Sequence, residues 1–346
     1  MNTQANPEML ILARQIRGMT QKKLAEISGV DQGTISKYEG GIKPMLEHDL
    51  KAIAKSLGFP AEFFYRPGNR IGPESGEIFH RKQRSLPAEQ LSLIHAQLDM
   101  LRLNVENLLE EVNLDSPFKI PCYNVREFNG DIEAIAEIVR AAWKIPPGPI
   151  SNLMKVLEDA SCIIHTCDFG TNQIDETVQW IEPLPPVILV NSRAPGDRLR
   201  FTLAHSLGHL VLHHDSLPYS EMENEADQFA AAFLMPARDI EPELDPVTIE
   251  HMLQLKPTWK VSIQALIHRA RDIGKIDDRR YTSLFQMLSR AGYRRIEPFP
   301  LPREAPTLFK RLIDHYQKRR GHSPKDIARL LAISEDDFGD WYLARK

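Results

Sequence analysis

Three cysteines in 346 residues are too few and too scattered for a disulfide framework. Cys122, Cys162 and Cys167 form no close metal-type pair, and their odd number fits a reduced setting. No run of about 18 apolar residues occurs, which argues against a membrane-spanning helix. The segment from Met1 to Pro7 is polar and lacks the apolar core of a signal peptide. Charge of one sign is missing too. The 43 Lys and Arg stand against 47 Asp and Glu, for a net charge of −4. The whole-chain charge therefore gives no nucleic-acid signal, and any contact with nucleic acid needs a local basic surface. No internal repeat or low-complexity tract is evident. What is present is 42% hydrophobic and 26% charged residues, ample for a core, at a length that predicts two or three domains. These features together predict a cytoplasmic protein.

The stretch from Arg200 to His214 carries the most chemistry. Leu203, Leu207, Leu210 and Val211 recur at helical spacing, which predicts an amphipathic helix. His205 and His209, four residues apart, then share one face, as a helix must arrange two imidazoles for one zinc ion. In zinc peptidases the residue after the first histidine is normally glutamate, the general base. Here it is Ser206. A serine hydroxyl is far too weak a base for that role, and general-base help is worth roughly 100- to 10,000-fold.

Residues 1–66 predict a bundle of short helices. Pro7 opens a first helix, Thr20 caps a second, and Asp31 caps a third from Gln32 to Glu39. A glycine turn, Ser28-Gly29-Val30, separates the last two, which is the helix-turn-helix pattern. Residues 67–117 form a connector. Its loop chemistry at Gly72 to Gly76 and its basic run from His80 to Arg84 precede a helix from Pro87 to Val112. Along that helix Leu91, Ile94, Leu98, Leu101, Val105, Leu108 and Val112 alternate three and four apart. That seam predicts either a dimer interface or packing within the chain. Residues 118–298 form a central domain, with helices at Ile132 to Trp143, Ile150 to Ala160 and Met222 to Leu234. Short buried strands are expected at Cys162 to His165 and Val187 to Asn191. Residues 299–346 are helical again and serve as a packed lid or a second nucleic-acid module, with the packing role preferred. The chain is thus expected to be multidomain, with an all-α helix-turn-helix N-terminal domain, an α+β zincin-like central domain holding a small sheet, and a helical C-terminal segment.

Two resemblances sharpen this. Met19 to Glu26 and Val30 to Gly40 closely resemble the XRE (Cro-type) helix-turn-helix family. The resemblance implies that the third helix enters the major groove of a double-stranded DNA operator, with Gln32, Thr34, Ser36 and Lys37 at base edges or phosphates. Gln21 and Lys43 would hold backbone phosphates. Gly33 stands where relatives often carry a longer polar side chain. Reading of a two-half-site operator implies a homodimer. Phe201 to His205, Gly208 to Leu210, His213, Glu225 to Asp227, Phe229 to Ala231 and Leu234 to Pro236 look like the ImmA/IrrE family of metallopeptidase-fold proteins, as do Val261 to Leu266 and Arg269. This resemblance implies one zinc held by His205, His209 and Glu225, with Ser206 in the general-base position. Glu221 and Glu223 are alternative ligands, His213 is a weaker one, and Asp227 is a candidate partner behind a ligand. Glu223 or Asp215 would be the first carboxylates to examine as a substitute base. The same fused order is similar to that of bacterial and phage regulators and toxin–antitoxin-linked proteins.

Three functions follow as expectations. The first is a DNA-binding transcriptional regulator whose ImmA/IrrE-like domain is a sensory or partner-binding module, with peptidase activity impaired or absent. The second is a zinc endopeptidase that cleaves a repressor or antitoxin, Ser206 then being natural or an engineered replacement of glutamate. The third is an antitoxin-like interaction scaffold. No membrane partner is expected.

Overall fold

The computed structural model describes residues 4–70, 78–79, 86–213 and 219–343. The loop at 72–76, the basic run at 80–84, His214 and Asp215 lie outside the described residues.

Four helices make the N-terminal unit: α1 (Pro7–Ile16), α2 (Gln21–Ser28), α3 (Gln32–Glu39) and α4 (Glu47–Leu57). The first three starts carry side-chain caps, whereas α4 begins after Leu46 without one. The Asn6 side chain accepts from Glu8 N, Thr20 from Lys23 N, and Asp31 from Thr34 N. Gly29 at φ +73° makes the left-handed turn between α2 and α3, a conformation glycine adopts without strain. Met9, Leu12, Leu24, Ile35, Tyr38 and Ile53 are wholly buried beneath these helices. Arg14 forks onto both Glu39 oxygens at 2.6 and 2.8 Å, tying α1 to the end of α3.

Next comes α5 (Ala88–Leu109), the helix of the heptad-type seam. It is buried on more than one face: Leu98, Leu101, Val105 and Leu108 are inside, and so are His95, Asp99, Arg102 and Asn104. It packs on α1 and on the sheet, and Tyr316 Oη donates to Leu108 O at 2.8 Å. The seam is therefore spent within the chain and is not offered to a second copy. Buried Arg66 pins the junction by donating to Leu103 O, Asn104 Oδ1 and Leu331 O.

The central part holds α6 (Ile132–Ala142), α7 (Leu153–Asp159), α8 (Gly196–Leu212), α9 (Tyr219–Leu234), α10 (Ala237–Ile240), α11 (Ile249–Trp259), α12 (Ile263–Asp272) and α13 (Asp278–Arg290). A four-stranded sheet joins β1 (Ile78–Phe79), β2 (Ile163–Cys167), β3 (Glu176–Gln179) and β4 (Val187–Asn191) in the order β1-β3-β4-β2. β2 and β4 are parallel, and β3 runs antiparallel to both of its neighbours. The sheet is buried on both faces. Ile164, Val178, Ile188 and Val190 join the core with α6, α8 and α9, whereas Ile163, Val187 and Leu189 join the core with α5 and the C-terminal helices. Both expected strands are present. β3 was not expected because its sequence, Glu-Thr-Val-Gln, shows no apolar run even though all four residues are buried.

Three helices close the chain: α14 (Leu308–Arg320), α15 (Pro324–Leu330) and α16 (Glu335–Tyr342), packed with α5 and the N-terminal unit. Among the described residues, no helix is long and apolar enough to cross a membrane.

Candidate metal centre and nucleic-acid interface

α8 and α9 form an antiparallel pair packed closely over much of their length. Gly208, between the two histidines, makes this possible. A Cβ there would lie 3.0 Å from Ala226 Cα and 3.2 Å from both Ala226 O and Phe229 Cβ. Arg269 holds the far end of α9 by donating to Met235 O at 2.8 Å while pairing with Glu133 on α6.

In an antiparallel pair, positions four apart on one helix face positions four apart on the other. Asp227 Oδ1 lies 2.8 Å from Nδ1 of His205. Glu223 lies one turn back, 3.3 Å from Nε2 of His209 and 3.6 Å from Nε2 of His205. The two Nε2 atoms are 3.0 Å apart. Glu225, expected as the third ligand, sits two residues along from Glu223 and so points round the helix. Its Oε2 lies 3.0 Å from Nε2 of His213. The structure thus brings His205 and His209 together with Glu223, their ligand atoms all within 4.8 Å of one another.

The partners assign the tautomers. A carboxylate only accepts, so His205 carries its proton on Nδ1 toward Asp227, and His213 carries its proton on Nε2 toward Glu225. Nδ1 of His213 then accepts from Nδ1 of His209 at 2.8 Å, which leaves a lone pair on Nε2 of His209. Two imidazole lone pairs and a carboxylate therefore converge, an arrangement that repels itself unless a cation is shared among them. Burial supports the same protonation states. It pulls His209 below its ordinary value and His213 down to about 4, so both imidazoles are neutral. Two imidazoles and one carboxylate are a donor set that fits zinc, and the carboxylate and histidine behind the ligands fix ring orientation.

Ser206 is wholly buried, and its hydroxyl donates to Thr202 O at 3.1 Å, one turn back along its own helix. The position that carries the general base in zinc peptidases is thus occupied by a side chain spent on backbone. Beside the centre lies a cleft of about 1150 Å³, with Asp227, Phe201, His268 and Tyr293 on its walls.

At the other end of the chain, α3 presents Gln32, Gly33, Ser36 and Lys37 to solvent, with Thr34 half-buried. Lys43 is exposed, its Nζ 5.5 Å from the centre of the Tyr38 ring. Gln21 is less available than the others, because its amide donates to Glu39 at 2.8 Å. Ile42 beside α3 is an apolar side chain left 78% exposed. Glu223, an alternative ligand in the sequence, stands four residues from Asp227, a spacing that mirrors that of the two histidines.

Comparison with protein families matches residues 10–64 to a helix-turn-helix family and residues 157–271 to the IrrE N-terminal-like domain. The first covers the four N-terminal helices almost completely, and the second spans the sheet strands β2 to β4, α8, α9 and the cluster between them. Comparison with curated proteins returns no match.

Proposed function

From a chain that carries an XRE-type helix-turn-helix fused to an IrrE N-terminal-like domain, we propose a DNA-binding transcriptional regulator whose second domain senses a ligand or partner without efficient peptidase activity. One contrast carries the reading. The polar face of α3 is open to solvent, while the Ser206 hydroxyl is turned onto Thr202 O in the place of a general base. Gln32, Ser36 and Lys37 read base edges and phosphates, and Lys43 adds a backbone contact. Two copies on a two-half-site operator would supply the affinity that one modestly charged head lacks.

His205, His209 and Glu223 would hold zinc, which supplies a Lewis acid when bound. Around it Asp227 fixes the His205 ring, and the His213–Glu225 pair fixes that of His209. The adjoining cleft offers a ligand or a peptide segment a place against this cluster. The test is selection of an operator from a duplex library, then Gln32→Ala with Lys37→Ala. Loss of sequence-specific binding is expected, and unchanged operator affinity contradicts the reading.

The convergent ligand set also favours a second reading, an endopeptidase acting on a repressor or antitoxin. Ser206→Glu should then confer zinc-dependent cleavage on a co-encoded protein. Absence of cleavage removes that reading.

A further inference from the structure

The last three helices repeat the first three. Adding 303 to the bounds of α3, Gln32–Glu39, gives those of α16, Glu335–Tyr342, and the same shift carries the start of α2 at Gln21 to that of α15 at Pro324. The details follow the same register. Thr20 and Ser323 cap the second helix, and Asp31 and Ser334 cap the third. Gly18 and Gly321 both take positive φ, and so do Gly29 and Ala332 in the turn. Leu24, Val30 and Ile35 are buried, as are Ile327, Ile333 and Phe338. Tyr38 corresponds to Trp341. The sequence hides the repeat because few identities survive; burial and turn geometry reveal it.

The copies differ where DNA would be read. Gln32, Gly33 and Lys37 of the first correspond to Glu335, Asp336 and Asp340 of the second, all exposed. Three carboxylates on a reading face repel phosphate. The remaining positions of α16 are turned to protein. Asp337, at the place of Thr34, accepts a fork from Arg17 at 2.8 and 2.7 Å. Arg17 in turn lies over the rings of Phe59 and Trp341, at 4.7 and 5.7 Å. Trp341 O accepts from Nε2 of His165 on β2 at 2.9 Å, and Tyr342 Oη accepts from Asn104 of α5 at 2.7 Å. One helix thereby touches the reading head, the central helix and the sheet.

We propose that residues 308–342 are a second helix-turn-helix that has exchanged DNA reading for protein contact. Its third helix is the joint that fixes the N-terminal reading head against the zincin-like domain. This goes beyond the regulator reading and does not depend on zinc.

The test uses the full-length chain and a mixed-sequence DNA duplex at low salt, with backbone amide exchange read segment by segment. DNA should protect residues 20–43 and leave 323–342 unchanged. Neutralising Glu335, Asp336 and Asp340 together (Glu335→Gln, Asp336→Asn, Asp340→Asn) should change affinity by less than about twofold. Protection of 335–342 by DNA, or a gain of about tenfold or more on neutralisation, overturns the proposal. The joint is read without DNA. Asp337→Arg should raise exchange in α1 and in residues 61–65 by about tenfold, and adding Arg17→Asp should restore it. Should Asp337→Arg fail to fold, Asp337→Asn is expected to act in the same direction more weakly. Unchanged exchange in both Asp337 variants overturns the joint. Protection by DNA in neither segment would count against the regulator reading, and the exchange of α1 still decides the joint.

Discussion

Oδ1 of Asp227 lies 2.8 Å from Nδ1 of His205, and one turn back on the same helix Glu223 lies 3.3 Å from Nε2 of His209. The first contact fixes which nitrogen of His205 faces the cluster, and the second supplies the anion. Partners behind a metal ligand are typically worth 10- to 100-fold in metal affinity. Asp227→Ala should therefore weaken zinc binding by roughly that factor, read by competition with a chromogenic chelator, with the fold intact by circular dichroism. Unchanged affinity would remove Asp227 from the account.

Ser206 donates to its own helix, so its loss should cost little. Ser206→Ala is expected to change stability by about 1 kcal/mol or less and to leave zinc content unchanged. Loss of zinc in this variant, or loss of an activity the parent shows, would mean that the hydroxyl serves the site.

Gly208 sets how closely α8 and α9 approach. Gly208→Ala places a methyl 3.0 Å from Ala226 Cα, in backbone that cannot swing aside. A destabilisation of about 1–3 kcal/mol is expected, together with weaker zinc binding as Glu223 is pushed from the histidines. Denaturant midpoints and chelator competition test both, and a stabilised variant would contradict the packing described.

Much of this was legible in the sequence, and the misses share a cause. Thr20, Gly29 and Asp31 marked the helix-turn-helix because capping and turn chemistry are local. His205 and His209 were readable because four residues span one helical turn. Glu225 was carried over as a ligand because the resemblance fixes a motif, and only the antiparallel pairing of α8 with α9 shows that Glu223 faces the histidines while Glu225 faces His213. The heptad-type seam of α5 was visible, but its occupant was not, since α1, β3, β4 and Tyr316 come from distant parts of the chain. Nothing in Glu176 to Gln179 announced a strand, because polar side chains buried between two cores carry no alternation.

His165 supplies a pH dependence away from the metal centre. Burial against Phe309 and Tyr342 pulls its imidazole down to about 4. The unfolded chain takes up this proton near pH 6.5 and the folded chain only near 4, so the group's contribution is present above about pH 6.5 and lost as pH falls. Its share should approach about 3 kcal/mol across that window. His165→Gln should flatten the fall in urea midpoint between neutral and acid pH, and parallel curves for parent and variant would contradict the assignment.

On the DNA side, Lys37→Ala and Lys43→Ala should each reduce the salt slope of operator binding by about one, and Gln32→Ala should cost about 1–3 kcal/mol and relax base preference. A Gln32→Ala loss that is uniform across sequences would place Gln32 on phosphate instead of on a base edge.

The most direct measurement is the metal content of the purified full-length protein beside His205→Ala, Glu223→Gln and Glu225→Gln. About one zinc per chain is expected in the parent and in Glu225→Gln, with loss in His205→Ala and marked weakening in Glu223→Gln. A parent that binds no zinc, or a Glu225→Gln variant that loses zinc while Glu223→Gln retains it, would contradict the centre described.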